Sequence, residues 1–408
     1  MSSMNKIVFL LLTLFFINAQ FLVAFNPASA SEMVEDVWST KTAMTQTRLG
    51  LGVVAVDNKI YAIGGYGVDG VVGTNECYDP KTDKWVTLEA MPTPRSDLGI
   101  VGYQNKIYCI GGQTADADIL DVNEVYDIAT DMWHTKAALP IKGRYLDAQV
   151  IDGKIFVLSN REPYHDSTLD VYMYDPIADV WLKKTTMPES SESSVYLVSA
   201  VVNGKIMITG SFPIVENPHI RYEYKVMFYD PKSDVWSKGA DGLSEVHVGV
   251  TCVTSGLYVP QRVYVLGLNV NNVYDPISDT WSTAKTMPSA RKNFGAAVVD
   301  DVLYVIGGYT SDDFSSLIST TEPLALNEQY IPADYTGTLS TKQDNSSEGE
   351  KTLEKKQVYP DTLSTKQDNS SEPILNYHII TAVTLTVGII ATGFFVYFKK
   401  TKRKKVSI

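Results

Sequence analysis

Short apolar runs of about five residues alternate with polar turns along most of the chain. One run ends in paired glycines, as in Ile60-Tyr61-Ala62-Ile63-Gly64-Gly65, and six copies occur, three of which keep both glycines. A second β-rich run precedes it, joined by a tight polar turn such as Asp57-Asn58 or Asp152-Gly153. Such polar pairs between apolar runs are strong hairpin signals. The pattern therefore predicts two hairpin-linked strands at the start of each repeat.

An octet that begins with Tyr-Asp and ends with Trp follows each of the first five hairpins. Its first copy is Tyr78-Asp79-Pro80-Lys81-Thr82-Asp83-Lys84-Trp85. Asp-Pro favours a type I turn, because proline presets φ and aspartate caps its own backbone. The octet predicts a third strand, a turn and a fourth strand that carries the tryptophan. The tryptophans, to which we assign a structural role between neighbouring sheets, are Trp38, Trp85, Trp133, Trp181, Trp236 and Trp281.

Successive tryptophans lie 45 to 55 residues apart, which indicates a repeat architecture. With paired glycines, Tyr-Asp-Pro…Trp and Met-Pro-x-x-Arg in register, the domain 31–332 resembles the kelch repeat. The resemblance implies an all-β, six-bladed kelch β-propeller like the central domain of galactose oxidase, with one four-stranded blade per repeat. The sixth repeat lacks its tryptophan strand, whereas Trp38 precedes the first. We expect this N-terminal strand to close the ring, since closure removes exposed sheet edges.

The two ends of the chain differ from the repeats. Residues 1–30 have a basic start, an apolar run and a small-residue site at Ala28-Ser29-Ala30, which predicts a cleaved signal peptide; an uncleaved anchor helix is the alternative. Residues 377–398 form an uncharged run that is long enough to be a single transmembrane α-helix, and a buried core helix is the alternative. Six of the ten residues in the tail, 399–408, are Lys or Arg. Positive charge marks the cytoplasmic side, so we predict a type I single-pass protein of the plasma membrane with an extracellular propeller.

The segment 333–376 reads as a polar tether between propeller and membrane. An 11-residue stretch at 338–348 recurs identically at 362–372. Few apolar residues leave nothing to form a core, so the segment is predicted to be disordered. Asn345 and Asn369 lie in tripeptides that fit the N-glycosylation sequon.

Charge and cysteine content limit the classes of function. The chain holds 47 acidic and 35 basic residues, a net charge of −12, and such a surface repels phosphate backbones, which argues against nucleic-acid binding. Three cysteines lie in predicted strands, where buried thiols are favoured over a disulfide framework. Only five histidines are present, none at ligand spacing, so we predict no metal, no cofactor and no catalytic residue.

Candidate binding residues concentrate on the face formed by the long loops between second and third strands, because long loops on a rigid frame carry function. The kelch resemblance implies partner binding there too. In four units an arginine follows Trp by ten or eleven residues, near the predicted central channel. Such guanidinium groups suit a carboxylate or sulfate; the alternative is a structural arginine, which is common in kelch repeats. The candidates are Arg48, Arg95, Arg144, Arg291, Tyr66, His165, Asp166, His219 and Arg221.

Taken together, the sequence predicts a monomeric cell-surface binding module that recognises a protein or a glycan outside the cell through its long-loop face. The alternative is a carbohydrate-active kelch enzyme such as a sialic-acid-type mutarotase. Acid–base chemistry of that kind needs only a carboxylate and a positioned arginine. Whether the protein is an enzyme stays open at this point.

Overall fold

The described part of the protein is a ring of six antiparallel sheets. In the computed structural model the described residues are 36–160, 169–188, 195–216, 219–243, 249–310 and 322–337, and they form six four-stranded sheets. The innermost strands of successive sheets contact one another around a common axis, and the last contacts the first. This arrangement is a six-bladed β-propeller and confirms the predicted fold.

Blades 1 to 3 use their strands in chain order from the axis outward. The strands of blade 1 are Gly52–Val56, Lys59–Ile63, Asn75–Asp79 and Lys84–Leu88. Those of blade 2 are Gly99–Tyr103, Lys106–Ile110, Asn123–Asp127 and Met132–Lys136. Those of blade 3 are Asp147–Ile151, Lys154–Asn160, Leu169–Asp175 and Val180–Thr186. In blade 1 the long loop also holds the two-residue strands Tyr66–Gly67 and Gly70–Val71.

Blades 4 to 6 complete the ring. The strands of blade 4 are Val195–Val202, Lys205–Glu216, His219–Asp230 and Val235–Lys238. Those of blade 5 are Val250–Val253, Val263–Leu266, Asn271–Asp275 and Thr280–Thr283. Those of blade 6 are Gly295–Val299, Val302–Ile306, Asn327–Ile331 and, outermost, Val37–Lys41.

The ring closes as predicted, because the first described strand of the chain is the outermost strand of blade 6. Val37–Lys41 pairs antiparallel with Asn327–Ile331, and Trp38 lies opposite Tyr330. The centroids of the Trp38 and Tyr330 side-chain rings are 4.9 Å apart. Both ends of the propeller therefore belong to one sheet, and the outer edge of Asn327–Ile331 is paired.

The connections sort onto two faces. Turns between first and second strands and between third and fourth strands lie on one face, which we call the short-turn face. Second-to-third loops and blade-to-blade connections lie on the other, the long-loop face. The turn Asp57-Asn58 has φ values of 50° and 57°, the left-handed geometry of a type I′ hairpin turn. The chain enters at residue 36 and leaves after Ile331, both on the short-turn face.

Tyrosine, aspartate and tryptophan of the octet join neighbouring blades. In blade 2, the Tyr126 hydroxyl donates to Asp131 Oδ1 at 2.6 Å, and its ring packs on Trp133 at 5.2 Å. Asp131 Oδ1 accepts the backbone N–H of Glu89 in blade 1, and Trp133 Nε1 donates to the Glu89 carbonyl, each at 2.9 Å. We call this pair of bonds to one residue the interblade clamp.

The interblade clamp occurs four times among the described residues. The clamped residues are Thr42, Glu89, Ala137 and Lys285, held respectively by Asp83 with Trp85, Asp131 with Trp133, Asp179 with Trp181 and Asp36 with Trp38. In blade 4 the indole of Trp236 donates instead to the Thr185 hydroxyl, at 3.3 Å. The half-buried tryptophans thus lie at the blade boundaries, each donating across one.

In blade 4 the second and third strands continue as a twelve-residue hairpin beyond the four-stranded part of the sheet. Val195, at the start of the innermost strand, pairs with Ser211, whereas the hairpin pairing continues to Glu216 opposite His219. The sequence analysis placed this segment in a loop. That expectation is corrected: β-branched and aromatic residues on both arms favour pairing.

Residues 254–262 form an insertion on the short-turn face that is held by blade 6. The buried carboxylate of Asp301 accepts the hydroxyl of Ser255 at 2.8 Å and the N–H of Tyr258 at 2.7 Å. The Tyr258 carbonyl accepts both the N–H (3.0 Å) and the hydroxyl (2.8 Å) of Thr336. The packed chain therefore continues past residue 332, which the sequence analysis took as the end of the propeller.

Several sequence expectations fall on residues outside the described ones. These are the signal peptide at 1–30, the duplicated stretches of the tether, the transmembrane run 377–398 and the tail 399–408. Within the residues that are described, no helix has the length and apolar character that a bilayer span requires. The membrane topology stays a prediction from sequence.

We predict that Trp38→Ala lowers the free energy of unfolding by roughly 2–4 kcal/mol, because it removes a large aromatic contact and one interblade hydrogen bond. Val37→Ala is the matched control: Val37 is in the same strand but exposed, and its loss should cost under about 0.5 kcal/mol. Urea unfolding of the full chain measures both. Equal midpoints for the two variants would contradict the closing role of this strand.

Candidate functional site

Three of the four predicted arginines lie in the interior of the propeller. Each has a fully buried side chain in an ion pair with a glutamate on the third strand of the blade that follows it. The pairs are Arg48–Glu76 at 2.6 Å, Arg95–Glu124, and Arg291–Glu328 at 2.6 Å. Since blades 6, 1 and 2 are consecutive, one half of the ring carries all three pairs.

The same guanidinium groups also bind main-chain carbonyls. Arg48 Nη1 donates to the oxygens of Ala62, Gly64 and Thr74 at 3.1, 2.9 and 3.0 Å. Burial lowers the pKa of Arg48, and the charge of Glu76 opposes that shift. The geometry matches the structural alternative raised from the sequence. As these three side chains stand, a ligand in the channel would not reach them.

Arg144 differs from the other three because it is displaced by one residue. In blade 1 the second glycine, Gly65, donates its N–H to the carbonyl of Arg95, but in blade 2 the corresponding Gly112 donates to Gly143. Gly143 therefore occupies the place of the structural arginine, and Arg144 follows it. The spacing from Trp, eleven residues instead of ten, reflects this shift. Arg144 is only half-buried and lies at the mouth of the channel on the long-loop face.

Arg144 belongs to a polar group that we call the rim cluster, which comprises Ser96, Asp97, Gln113, Arg144 and Tyr145. Asp97 Oδ2 accepts the Ser96 hydroxyl at 3.0 Å and Gln113 Nε2 at 2.7 Å. Gln113 Oε1 accepts Arg144 Nη1 at 2.6 Å. Burial raises the pKa of Asp97 to about 6, against the lowering effects of its two hydrogen bonds and of the Arg144 charge.

A chain of backbone hydrogen bonds supports the rim cluster. The N–H of Gly50 donates to Asn293, that of Asp97 to Gly50, and that of Tyr145 to Asp97, each at 2.8 Å. All four residues have positive φ, between 50° and 60°. A Cβ on Gly50 would lie 2.6 Å from Asp97 Oδ1. Glycine at position 50 therefore leaves room for the carboxylate of Asp97, which lies directly against it.

Exposed aromatic and apolar side chains flank the rim cluster. Tyr145 is 54% exposed, and its ring lies 5.3 Å from the Arg144 guanidinium carbon. Tyr66 is 46% exposed, and its backbone pairs with Leu49, which precedes Gly50. Val68, at the tip of the same loop, is also exposed. The long-loop face thus presents tyrosine and arginine around the channel mouth.

The remaining candidates are in blades 3 and 4. His165 and Asp166 lie outside the described residues. His219 and Arg221 lie in the extended hairpin of blade 4, where they pair with Glu216 and Ile214 in the backbone register. The structure therefore brings Arg144 and Tyr66 to one region and places the other two on a separate projection of the long-loop face.

A second polar group joins the innermost strands of blades 3, 4 and 5. Asp147 accepts the N–H of Ser199, and Gln149 Nε2 donates to the Ser199 carbonyl at 3.0 Å. The hydroxyl of Thr251 donates to the same carbonyl. These side chains thus pair with the N–H and the carbonyl of Ser199, on the inner edge of blade 4. Burial raises the pKa of Asp147 to about 6, although hydrogen bonds from Ser199 act in the opposite direction.

The described residues contain no group of three or more His, Cys, Asp or Glu side chains that could hold a metal ion. The three cysteines, Cys77, Cys109 and Cys252, are buried free thiols. Burial raises the pKa of Cys109 and Cys252 to about 12, so neither has the thiolate character of a nucleophile. The cysteines are part of the packing between strands.

Sequence reasoning missed Asp97, Gln113, Tyr145 and Asp147. A signal for Asp97 was present, since it lies two residues after Arg95, where the first repeat has Gly50. Asp147 opens the innermost strand of blade 3, which is an unusual place for a carboxylate. Neither signal identifies the partners, because Gln113 and Ser199 come from other strands and blades.

Two family models match the chain. The one described as KLHDC2/KLHL20/DRC7 Kelch-repeats domain matches residues 50–267, and the one described as Kelch motif matches 290–322. The first covers more than half of the chain. The two matches together begin at Gly50, before the first strand of blade 1, and end at residue 322 in blade 6.

Curated relatives match over short stretches. A putative F-box/kelch-repeat protein of Arabidopsis thaliana is 33% identical over 92 residues, 21% of this chain and 22% of its own length. Kelch repeat and BTB domain-containing protein 12 of Homo sapiens is 30% identical over 137 residues, 29% of this chain and 22% of its own length. The chain thus spans under a quarter of the length of these relatives.

Among solved structures, that of YjhT covers 70% of this chain and 95% of its own, with a TM-score of 0.54. Sequence identity over that match is 12%, so the likeness shows a common fold and nothing finer. The agreement in fold is consistent with the six blades described above.

We predict that Arg95→Ala lowers the free energy of unfolding by about 3–5 kcal/mol, because it leaves the Glu124 carboxylate buried without its counter-charge. Arg144→Ala is the matched control, since Arg144 is half-buried and its described hydrogen bond goes to a neutral amide; it should cost under about 1 kcal/mol. Chemical unfolding of the full chain compares the two. If Arg95→Ala were as stable as the wild type, the structural role of the buried arginines would be wrong.

We predict that the contribution of Asp147 to the free energy of unfolding falls as pH rises from about 4 to 6. The folded protein holds the Asp147 proton to a higher pH than the unfolded chain does, so the stabilisation is present below about pH 4 and is lost above pH 6. Asp147→Asn should therefore gain on the order of 2 kcal/mol relative to wild type between these pH values.

Asp152→Asn, an exposed aspartate of the same blade, is the control and should follow the wild-type pH profile. Urea midpoints at several pH values measure the three proteins. Parallel profiles for wild type and Asp147→Asn would contradict the raised pKa of this group.

Proposed function

Because the chain belongs to the kelch-repeat family, we propose that it is a protein-interaction module that binds a partner protein through its long-loop face. The observation that supports this most strongly is the rim cluster with its flanking tyrosines. Tyrosine and arginine are the residue types enriched where interfaces bind most tightly. Here they surround the channel mouth on a rigid ring.

The course of the chain also favours the long-loop face. The chain enters and leaves the propeller on the short-turn face, where the insertion 254–262 and Thr336 add further contacts. The long-loop face is on the opposite side of the ring. A partner that docks there would lie on the side opposite to the points where the described chain enters and leaves the ring.

The rim offers a firm base for such a partner. Tyr145 has positive φ and is fixed by its backbone bond to Asp97, and Tyr66 is fixed by two backbone bonds to Leu49, at 3.0 and 2.8 Å. A main chain that is already ordered loses little conformational entropy on binding. The extended hairpin of blade 4 adds a second raised element on the same face.

Sequence features extend the proposal to the cellular location of the propeller. The predicted signal peptide and transmembrane run would present the propeller outside the cell as a single-pass membrane protein. Recognition of a glycan, and the carbohydrate-active alternative, stay predictions from sequence. A protein partner is favoured, since arginine beside exposed tyrosine suits the mixed polar and apolar surface of a protein.

Site-specific photo-crosslinking tests the proposal in cells that express the full chain. A benzoylphenylalanine at position 66 or 145 should cross-link to a protein partner that mass spectrometry identifies at both positions. The matched controls are positions 177 and 277, where isoleucines on the short-turn face are 83% and 89% exposed. Cross-links from the control positions alone, or from none of the four, would refute binding through the long-loop face.

A further inference from the structure

Blade 3 lacks the buried arginine of blades 1, 2 and 6 and has a half-buried arginine, Arg144, one residue later. Gly143 occupies the interior position, and Tyr172 stands at the register position of the glutamate that pairs with the arginine in blades 1, 2 and 6. The buried carboxylate of Asp170 receives its counter-charge from Lys183, at 2.8 Å, and a hydrogen bond from the Thr186 hydroxyl at 2.6 Å. The fold of blade 3 therefore does not need the charge of Arg144.

The guanidinium of Arg144 keeps most of its hydrogen-bonding capacity. It has five N–H donors, and among the described residues it uses one, toward Gln113 Oε1. Its Nε is buried and has no partner among those residues. No carboxylate of the described residues lies within ion-pair distance. By contrast, Arg48 makes three bonds to carbonyls in addition to its ion pair with Glu76.

Gln113 links the arginine to Asp97 in one orientation. An ionised carboxylate only accepts hydrogen bonds and a guanidinium only donates them. The amide of Gln113 must therefore point its NH₂ at Asp97 and its oxygen at Arg144, as the structure has it. Asp97 and Arg144 together carry no net charge, with the amide between them.

We propose that the rim cluster is a carboxylate-binding site, in which Arg144 takes an aspartate or glutamate side chain of the partner protein and Asp97 takes up one proton when the site is filled. This inference rests on the proposed function, because it assigns the chemistry of the partner. The ligand carboxylate would occupy the donors of Arg144 that no described residue uses. Paired N–H groups of arginine suit the two oxygens of a carboxylate.

Charge balance is the reason for the coupling. An incoming carboxylate adds one negative charge beside Asp97, and two neighbouring carboxylates raise the pKa of one of them. The groups that face Asp97 are Ser96, Gln113, the backbone of Gly50 and of Tyr145, and Arg144, which is the charged one among the described residues. A proton from solvent on Asp97 restores a neutral cluster around the bound ligand.

The direction of the pH dependence follows from this balance. At neutral pH Asp97 is ionised and must be protonated on binding, whereas near pH 5.5 much of it already carries the proton. Affinity should therefore rise as pH falls from 7.5 to 5.5. With full coupling the change is roughly 25-fold over this range. Below about pH 4.5 the ligand itself is protonated, and binding weakens again.

Calorimetric titration of the full chain in detergent tests the site. The probe is the capped peptide acetyl-Ala-Glu-Glu-Ala-amide, with the matching Gln-Gln peptide as its uncharged counterpart. We expect the glutamate peptide alone to bind, with a dissociation constant that weakens about 10- to 25-fold from pH 5.5 to 7.5. Titrations at pH 7 in buffers of different ionisation enthalpy should show close to one proton taken up per peptide.

Three variants separate the parts of the proposal. Arg144→Gln should abolish binding, and Lys142→Gln, which removes an exposed charge two residues away, should leave it intact. Asp97→Asn should still bind but take up no proton and lose the pH dependence. Melting curves confirm that each variant is folded. Binding that survives Arg144→Gln, or proton uptake that survives Asp97→Asn, would overturn the inference.

The outcome is distinguishable from that of the proposed function. If the glutamate peptide does not bind but positions 66 and 145 still cross-link to a partner, the carboxylate site is wrong and the protein-interaction function stands. If the peptide binds with the expected proton uptake and no partner is cross-linked, the site stands and the proposed function fails.

Discussion

The interblade clamp is the interaction on which the ring depends. Burial between sheets is non-directional and would allow neighbouring blades to slide or splay. The clamp adds direction, because Asp131 and Trp133 bind the N–H and the carbonyl of one residue, Glu89, at the edge of the preceding blade. It also satisfies two main-chain groups that no strand of their own sheet could pair. Where Asp36 and Trp38 repeat this geometry on Lys285, the same pair of bonds holds the N-terminal strand of blade 6 to blade 5.

Most of the fold could be predicted because the same residue types recur at fixed spacing in each repeat. A tyrosine and a tryptophan lie on either side of the turn in every octet, as Tyr78 and Trp85 do in the first. The position of Trp38 before the first hairpin predicts closure of the ring. The hairpin of blade 4 was not predicted, since polar residues near its tip outweighed the β-forming residues on its arms. Pairing over that length depends on the partner strand, which a local pattern does not contain.

The site was less predictable for a related reason. An arginine ten or eleven residues after Trp looked like one feature in four copies, yet one residue of displacement separates a buried structural side chain from an accessible one. Whether Arg144 faces solvent depends on Gly143 taking its place in the interior. The carboxylate of Asp97, whose pKa is raised by burial, likewise lies against Gly50 from the neighbouring blade. Such contacts are between repeats, whereas the sequence pattern describes a single repeat.

The closing strand has a consequence for how the protein is made. Asp36 accepts the N–H of Ala333 across 297 residues, so the first described strand waits during synthesis for almost the whole propeller before its partner exists. The entropy of joining such distant segments makes this pairing a slow, late event. Until then, blade 6 has an open edge and Trp38 is unpacked. A chain that ends before residue 331 lacks part of the partner strand and could not close the ring. Closure therefore requires complete synthesis of the domain.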